Sequence, residues 1–278
     1  MSDIFFELEP KPKQRRTALE AAVRAYPLEL PNIDIAREYF SHIFVPKSHR
    51  WSYNANGKTG TSSTKRFLFE LEFGVPLTVE YISQLDINPD NVAHRLVNAG
   101  VFRSLLNIPR GHQLLPDCLR LTTVRSPEKR AISAFLYLCR SHELRHSWFV
   151  NERLKMNAVV EFDWSKDFKT ERGFEKFLDY IDATIQCSGA DTVNPHWRPL
   201  VPSIKPNIFK ADLVGRTEDL GAFYKMIAER LDLKLPENWA VPHNNKNTYD
   251  DEFGTLLTRT TKNRIAQIYK ADFEEFGY

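Results

Sequence analysis

Apolar residues recur at helical spacing in several parts of the chain, and short alternating or β-branched runs lie between them. The segment 171–185 has the clearest helical period, because Phe174, Phe177, Leu178 and Ile181 fall on one face. The same spacing predicts further helices over 17–25, 34–43, 61–71, 79–85, 91–106 with a break at Gly100, 127–138, 220–231 and 253–276.

Four short runs have the composition of β-strands, namely 44–47, 51–54, 119–124 and 208–214. Pro46 within the first of them indicates an edge strand. Strands that alternate with helices predict an α/β fold with a central, mostly parallel sheet flanked by helices. We predict one domain over residues 1–278, with an N-terminal helical extension to about residue 43 and a C-terminal helix from about residue 250.

Composition narrows the possible partners. The 278 residues carry a net charge of +2, which gives no bulk electrostatic reason to expect a nucleic-acid partner. No run approaches ~20 consecutive apolar residues, and the first ten residues carry acids where a signal peptide has positive charge. The three cysteines form no CxxC pair. We therefore expect a cytoplasmic protein with no membrane span.

The first stretch with recognisable chemistry lies between a predicted strand and a predicted helix. The strand 51–54 enters the loop Gly-Lys-Thr-Gly-Thr-Ser-Ser at 57–63, and the apolar-periodic helix follows directly. The N–H groups of a first helical turn have no partners inside the helix, and the helix dipole favours an anion there. Lys58 adds a positive charge to this arrangement. This pattern predicts a phosphate-binding loop.

A second stretch follows the strand 119–124. Arg125 stands at the end of that strand, Pro127 opens a helix, and Ser133 lies about two turns further on. Ligands of open α/β sheets bind at the carboxyl ends of the strands. We therefore predict that Arg125 contacts a phosphate, with Ser133 as a possible hydroxyl donor.

With these residues in view, the sequence resembles the sulfotransferases that use 3′-phosphoadenosine 5′-phosphosulfate (PAPS). Segment 57–63 resembles their Pro-Lys-Thr/Ser-Gly/Ala-Thr/Ser-Thr/Ser loop, and segment 125–135 resembles their Arg-Asp-Pro-x-x-Arg-x-x-Ser-x-Tyr/Phe run. Segments 194–199 and 212–220 are similar to the His-Trp-x-Pro and Phe-Val-Gly-Lys/Arg-x-Glu-x-Leu runs of the carbohydrate sulfotransferases. Gly57 and Ser126 depart from the family's usual Pro and Asp. The absence of a Golgi anchor points to a soluble relative of the bacterial type.

The resemblance implies a P-loop-like three-layer fold and transfer of a sulfuryl group from PAPS to an acceptor hydroxyl, with no metal. It implies that Lys58 stabilises charge on the leaving 5′-phosphate, and that Arg125 and Ser133 bind the 3′-phosphate. It assigns the 5′-phosphate to Lys58, Thr59, Gly60, Thr61, Ser62 and Ser63.

An acceptor hydroxyl also needs a general base. Three histidines qualify: His112 in a loop before the strand 119–124, His94 on a predicted helix, and His196. We select His112, and assign His196 and Trp197 to acceptor binding, which favours a carbohydrate or glycoconjugate. The sequence leaves open the identity of the acceptor, the choice among the three histidines and the oligomeric state.

Two other functions remain open. His142-Glu143-Leu144-Arg145-His146 is an HExxH pattern, which on a helix would place two imidazoles on one face for the zinc of a metallopeptidase. Arg145 inside the pattern and the polar flanks weigh against it. Gly57-Lys58-Thr59 could instead end the Walker A loop of a P-loop kinase or NTPase, but that pattern needs a glycine where Ser52 stands.

Overall fold

The computed structural model describes residues 4–6, 12–80, 87, 92–233, 235 and 254–278. Contacts within the chain divide it into two compact units, which we describe separately. Unit 1 comprises residues 1–81, 91–124 and 204–244, and unit 2 comprises residues 82–90, 125–203 and 245–278. The assignment of the whole chain to one domain stays a prediction.

Unit 1 contains a five-stranded sheet. Its strands are β1 (Ile43–Pro46), β2 (Trp51–Asn54), β3 (Phe102–Ser104), β4 (Leu119–Val124) and β5 (Leu213–Arg216). They lie side by side in the order β3-β1-β2-β4-β5. The β2–β4 and β4–β5 pairs are parallel, whereas β1 is antiparallel to both of its neighbours. Four of the five strands therefore run in one direction, which confirms an α/β fold with a mostly parallel sheet.

The helices bear out most of the predicted periodicity. They are α1 (Pro12–Ala25), α2 (Ile33–Ser41), α3 (Thr61–Phe73), α4 (Val92–Arg95), α5 (Pro127–Glu143), α6 (Val150–Val160), α7 (Glu171–Ser188), α8 (Leu200–Ile204), α9 (Leu220–Arg230), α10 (Arg259–Ile268) and α11 (Lys270–Phe276). Short 3-10 turns occupy Leu105–Asn107, Gly111–Asp117, Ala190–Thr192 and Thr217–Asp219. No helix among the described residues has the length and apolarity needed to cross a membrane.

The core of unit 1 lies between the sheet and two of its helices. Phe67 of α3 stacks on Tyr224 of α9 with ring centroids 4.2 Å apart. The Tyr224 hydroxyl also lies 3.1 Å from Thr64 Oγ1 in α3. Tyr53 of β2 is fully buried and its hydroxyl contacts Thr123 of β4 at 2.7 Å. These contacts fix the start of α3 against the carboxyl ends of β2 and β4.

The core of unit 2 is built around α5. Phe135 of α5 packs against Phe174 and Phe177 of α7, with ring centroids 5.3 and 5.5 Å apart. Residues on almost every side of α5 are buried, Arg130 among them. The Arg130 guanidinium donates to the carbonyl oxygens of Arg198 at 2.6 Å and of Pro195 at 3.2 Å. A buried cation thus holds the 195–198 segment in place.

Several predicted boundaries were wrong. The helix predicted over 91–106 ends at Arg95, and residues 102–104 form β3 instead. The predicted break at Gly100 is present, because this residue turns the chain with a φ of 70° before β3. β1 is an interior strand, since its carbonyl and N–H groups pair with β2 and β3 and Pro46 stands at its last position.

Three further differences concern single elements. The last strand covers 213–216 and not 208–214. Helix α6 was not predicted, because Met156 is its one buried side chain and its apolar residues follow no helical period. Val79 and Glu80 are not helical, and the rest of the helix predicted over 79–85 lies outside the described residues.

Candidate functional site

The predicted phosphate loop connects β2 to α3 in unit 1. Residues 55–60 leave the carboxyl end of β2, beside the parallel strand β4, and α3 begins at Thr61. In sheets of this kind the carboxyl ends of the strands are where ligands bind. The structure therefore places the loop where an anion site of an α/β fold is expected.

The loop backbone takes a conformation that few residues adopt. Lys58 has a φ of 65° and Gly60 a φ of 77°, with Thr59 between them. No side chain caps the helix that follows Gly60. Backbone of alternating handedness turns successive N–H groups toward a common point, which makes an anion-binding concavity. The helix dipole of α3 acts in the same direction.

Gly60 meets two requirements that another residue would not. Its φ is in the left-handed region, and a Cβ at this position would lie 3.0 Å from Leu220 Cδ1 and 3.6 Å from Thr217 Cγ2. Thr217 is itself tied to the end of β4, because its hydroxyl donates to the Val124 carbonyl at 2.9 Å. The segment that follows β5 therefore packs directly against the loop, and two of the family-like segments meet in unit 1.

Asn56 organises the loop, although no sequence pattern singled it out. Its carbonyl oxygen accepts hydrogen bonds from the hydroxyls of Thr59 at 2.9 Å and Thr61 at 2.6 Å. Its amide Nδ2 donates to Thr122 Oγ1 of β4 at 3.1 Å. Both threonine hydroxyls are thus engaged in holding the shape of the loop. The one sequence signal was that this asparagine directly precedes a glycine, which is common in loops.

The remaining loop residues lie in different surroundings. Thr59 is fully buried and its Oγ1 also lies 3.0 Å from Thr123 Oγ1, whereas Ser63 is 8% exposed. Ser62 Oγ lies 3.4 Å from Nε2 of His94, an exposed residue of α4. Lys58 is half-buried. The structure thus brings His94, and not His112, next to the predicted loop.

A second lysine lies in the first turns of α3. Lys65 is 4% exposed, and its Nζ lies 3.9 Å from the centroid of the Phe44 ring in β1. Burial lowers the pKa of this ammonium from 10.5 to about 8. The apolar helical period predicts that positions on this face of α3 are buried. It does not predict that a lysine will occupy one of them.

His112 lies at the start of the 3-10 turn that leads back to β4. Its ring centroid is 6.4 Å from that of Phe40 in α2. Together with residues of α1 and of the 105–106 segment it lines a small cavity that includes none of residues 57–63. Burial lowers the pKa of its imidazole. Its role as general base stays a prediction.

Unit 2 contains the other predicted phosphate ligands. Arg125 is half-buried and directly follows β4, and Ser126 precedes the helix α5 that begins at Pro127. Ser133 is 3% exposed and lies on α5, one turn before Tyr137. The prediction of strand, arginine and proline-opened helix is confirmed as local structure. The binding roles of Arg125 and Ser133 stay predictions.

The two predicted acceptor-binding residues differ in exposure. Trp197 is 1% exposed and its ring lies 5.5 Å from Phe149 and 5.4 Å from Phe177, so it is part of the core of unit 2. The neighbouring His196 is half-buried, and its Nδ1 lies 2.9 Å from Oδ1 of Asn194. Of the two side chains, His196 is the one that a ligand can reach.

The model of the sulfotransferase family matches residues 41–278, which is most of the chain. The chain belongs to the sulfotransferase family. Neither the curated proteins nor the solved structures gave a match. Membership makes this chain a sulfotransferase enzyme that moves a sulfuryl group, and it agrees with the resemblance stated from the sequence. The matched residues include the loop, α5 and the 194–220 segment.

The HExxH segment of this sulfotransferase does not form the helical pair that a zinc peptidase uses. Helix α5 ends at Glu143, and Arg145 turns the chain with a φ of 51°. The ring centroid of His142 is 4.7 Å from that of Trp164, whereas His146 Nδ1 accepts from the backbone N–H of Trp148 at 2.9 Å. Among the described residues no group of three or more His, Cys, Asp or Glu side chains could hold a metal ion.

The kinase alternative has no better support in this sulfotransferase. A Walker A loop would begin with a glycine at position 52, but Ser52 is a buried residue of β2. The loop between β2 and α3 covers only residues 55–60, so position 52 lies outside it.

Proposed function

We propose that the protein transfers the sulfuryl group of PAPS to a hydroxyl of a carbohydrate or glycoconjugate, on a P-loop-like three-layer fold. The observation that carries the proposal is the start of α3, which has no side-chain cap and follows positive φ angles at Lys58 and Gly60, a backbone conformation of the kind that forms anion-binding concavities. Family membership supplies the sulfuryl chemistry, and the loop supplies an anion site suited to the 5′-phosphate of the donor.

In this proposal the loop binds the 5′ end of the donor. Lys58 neutralises the charge that builds on the bridging oxygen as the bond to sulfur breaks. The N–H groups of Thr59, Gly60 and Thr61 and the hydroxyls of Ser62 and Ser63 hold the 5′-phosphate. The Thr59 and Thr61 hydroxyls contribute through the carbonyl of Asn56, because they fix the loop in its binding shape.

Arg125 and Ser133 bind the 3′-phosphate and thereby select the donor. Arg125 directly follows Val124, the last residue of β4. In the same strand, Thr123 contacts Thr59 of the loop. A guanidinium forks onto phosphate oxygens with two parallel hydrogen bonds, which gives specificity as well as affinity. A nucleotide without the 3′-phosphate loses these bonds.

Transfer to a hydroxyl also needs a base, for which we proposed His112 from the sequence. The contact between His94 and Ser62 supports His94 as an alternative. His196 is the half-buried member of the proposed acceptor site, and its ring centroid lies 6.4 Å from that of the buried Trp197.

The proposal is tested by melting the purified protein with three nucleotides. We expect 3′-phosphoadenosine 5′-phosphate, at about 100 times its Kd, to raise Tm by roughly 5–10 °C. Adenosine 5′-phosphate, which lacks the 3′-phosphate, and ATP with Mg²⁺ serve as matched controls and should raise Tm far less. Equal shifts with all three would contradict the role of the 3′-phosphate, and no shift with any would contradict the proposal.

A further inference from the structure

The backbone carbonyl of Asn56 closes the loop of unit 1 on itself. It accepts from the hydroxyls of Thr59 and Thr61, at 2.9 and 2.6 Å, so one oxygen ties together the residues on both sides of Gly60. A carbonyl oxygen has two lone pairs, and the two hydroxyls occupy both. An ionised phosphate offers acceptor oxygens, to which these two hydroxyl protons are not directed. In this arrangement the two hydroxyls hold the curve of residues 57–60.

A chain of buried hydroxyls leads to the same carbonyl, and each proton in it has a determined direction. Thr59 gives its proton to Asn56, so at its 3.0 Å contact with Thr123 of β4 it can only accept. Thr123 therefore donates to Thr59 and accepts from the hydroxyl of Tyr53 at 2.7 Å. Tyr53, Thr59 and Thr123 are fully buried. Breaking any of these bonds would leave a buried polar atom without a partner, which is costly, so the loop is held in one arrangement.

The side chain of Asn56 makes a second connection to β4. Its Nδ2 donates to Thr122 Oγ1 at 3.1 Å, and Thr122 donates in turn to the backbone carbonyl of Asn54 at 3.0 Å. Because the one proton of Thr122 is directed to Asn54, its oxygen can only accept from Asn56, which sets the orientation of the carboxamide. Thr122 and Thr123 are successive residues of a strand, so their side chains lie on opposite faces of the sheet. The loop is thus attached to β4 from both faces.

We infer that Asn56 is a positioning residue of the 5′-phosphate site. Its side chain fixes the loop on β4, so that the loop N–H groups are arranged before the nucleotide binds. The inference rests on the proposed function and adds to it a residue that acts through the loop backbone. Binding to a preformed site avoids the cost of ordering the loop. Loss of the Asn56 side chain should therefore weaken the part of the binding that the 5′-phosphate supplies, and no other part.

The test compares two nucleotides that differ in the 5′-phosphate alone. Asn56→Ala keeps the backbone carbonyl and removes Nδ2. We expect it to raise the Kd of 3′-phosphoadenosine 5′-phosphate about tenfold. Adenosine 3′-phosphate, which lacks the 5′-phosphate, should bind the variant and the wild type equally well. A merely structural role would weaken both nucleotides alike. Calorimetric titration, with displacement for the weaker ligand, measures the four constants.

Thr122→Val tests the partner of Asn56 without a change in the loop. Valine keeps the branched shape of threonine but cannot accept from Nδ2, so the Kd of 3′-phosphoadenosine 5′-phosphate should rise about threefold or more. Thr122→Ser keeps the hydroxyl and should retain the wild-type affinity. The double variant of Asn56→Ala and Thr122→Val should bind no more weakly than Asn56→Ala, because both substitutions remove the same bond. Fully additive losses would contradict the inference.

Asn54→Ala is the matched control. It removes another buried asparagine hydrogen bond at the carboxyl end of β2, from Nδ2 to the Ile204 carbonyl at 3.3 Å, and leaves the Asn54 backbone carbonyl in place. Both nucleotide affinities should stay at the wild-type values. A Kd of 3′-phosphoadenosine 5′-phosphate for Asn56→Ala within about twofold of wild type, or an equal loss with adenosine 3′-phosphate, overturns the inference.

Amide hydrogen exchange over residues 57–61 provides a measurement without nucleotide. Exchange should be faster in Asn56→Ala than in Asn54→Ala, because only the first substitution detaches the loop from β4. Equal rates would contradict the role of Asn56. If the wild type does not bind 3′-phosphoadenosine 5′-phosphate, the proposed function is wrong, and the exchange rates still decide whether Asn56 holds the loop. The two failures are therefore distinguishable.

Discussion

Two short motifs of this chain each match a known chemical pattern, but only one of them lies on the structural elements that its chemistry needs. The motif at 57–63 covers the end of the loop between β2 and α3 and the first turn of α3, and Lys58 and Gly60 take the positive φ angles of an anion cradle. The HExxH pattern at 142–146 begins on the last residues of α5 and continues beyond its end. The first motif has the strand and helix that an anion site needs, whereas the second lacks the continuous helix that a zinc-binding histidine pair needs.

The difference shows what a short motif depends on. The loop is held by partners that are distant in sequence: Thr122 and Thr123 of β4, and Leu220 of α9. His142 and His146 need an uninterrupted helix to share one face, and the helix stops between them. A motif is informative when the supporting element is also predicted, as it was for β2 and α3.

The largest effect is expected from a substitution in the 57–63 motif. Lys58→Ala should lower kcat by about 10²–10³, because a charge that stabilises the leaving group is removed. PAPS turnover and circular dichroism check the activity and the fold. Lys166→Ala, which removes an exposed lysine paired with Asp163 at 3.3 Å, is the control and should keep full activity. Wild-type turnover in Lys58→Ala would remove this residue from the mechanism.

A smaller effect tests the shape of the loop. Gly60→Ala places a Cβ against Leu220 at a φ of 77°, so we expect weaker binding of 3′-phosphoadenosine 5′-phosphate and a loss of stability of more than about 1 kcal/mol. Gly74→Ala has a similar φ of 69° at the end of α3 but meets no atom within 4 Å. It should lose about 1 kcal/mol of stability and keep the nucleotide affinity. Calorimetric titration and urea unfolding measure both quantities, and equal affinities in the two variants would contradict the role of Gly60.

The smallest effect is expected at the other motif. His142→Ala and His146→Ala should each leave PAPS turnover unchanged, since the two rings contact Trp164 and the Trp148 backbone and do not converge. Metal analysis of wild type and both variants provides the second measurement. Stoichiometric zinc that is lost in both variants would restore the peptidase hypothesis.

The comparison also explains which parts of the structure were predictable. Strand β4 and helices α3, α7 and α9 follow local periodicity, so their positions came close to the prediction. β3 was hidden in a helical pattern because three residues are too few to show a period, and its pairing with β1 is a long-range property. Asn56 escaped notice for the same reason, since its importance lies in a contact that the fold creates.

Lys65 makes the folding equilibrium of the protein depend on protons. The folded state holds this amine at a pKa of about 8, against 10.5 for the free side chain, because its charge is buried beside Phe44. Below pH 8 both states are protonated, and the folded state is destabilised by roughly 3 kcal/mol relative to a neutral amine. Between pH 8 and 10.5 the unfolded chain binds the extra proton, so this contribution to stability rises with pH. Urea unfolding of wild type and Lys65→Met at pH 7 and pH 10 would show the difference: the substitution should stabilise the protein at pH 7 and do so much less at pH 10.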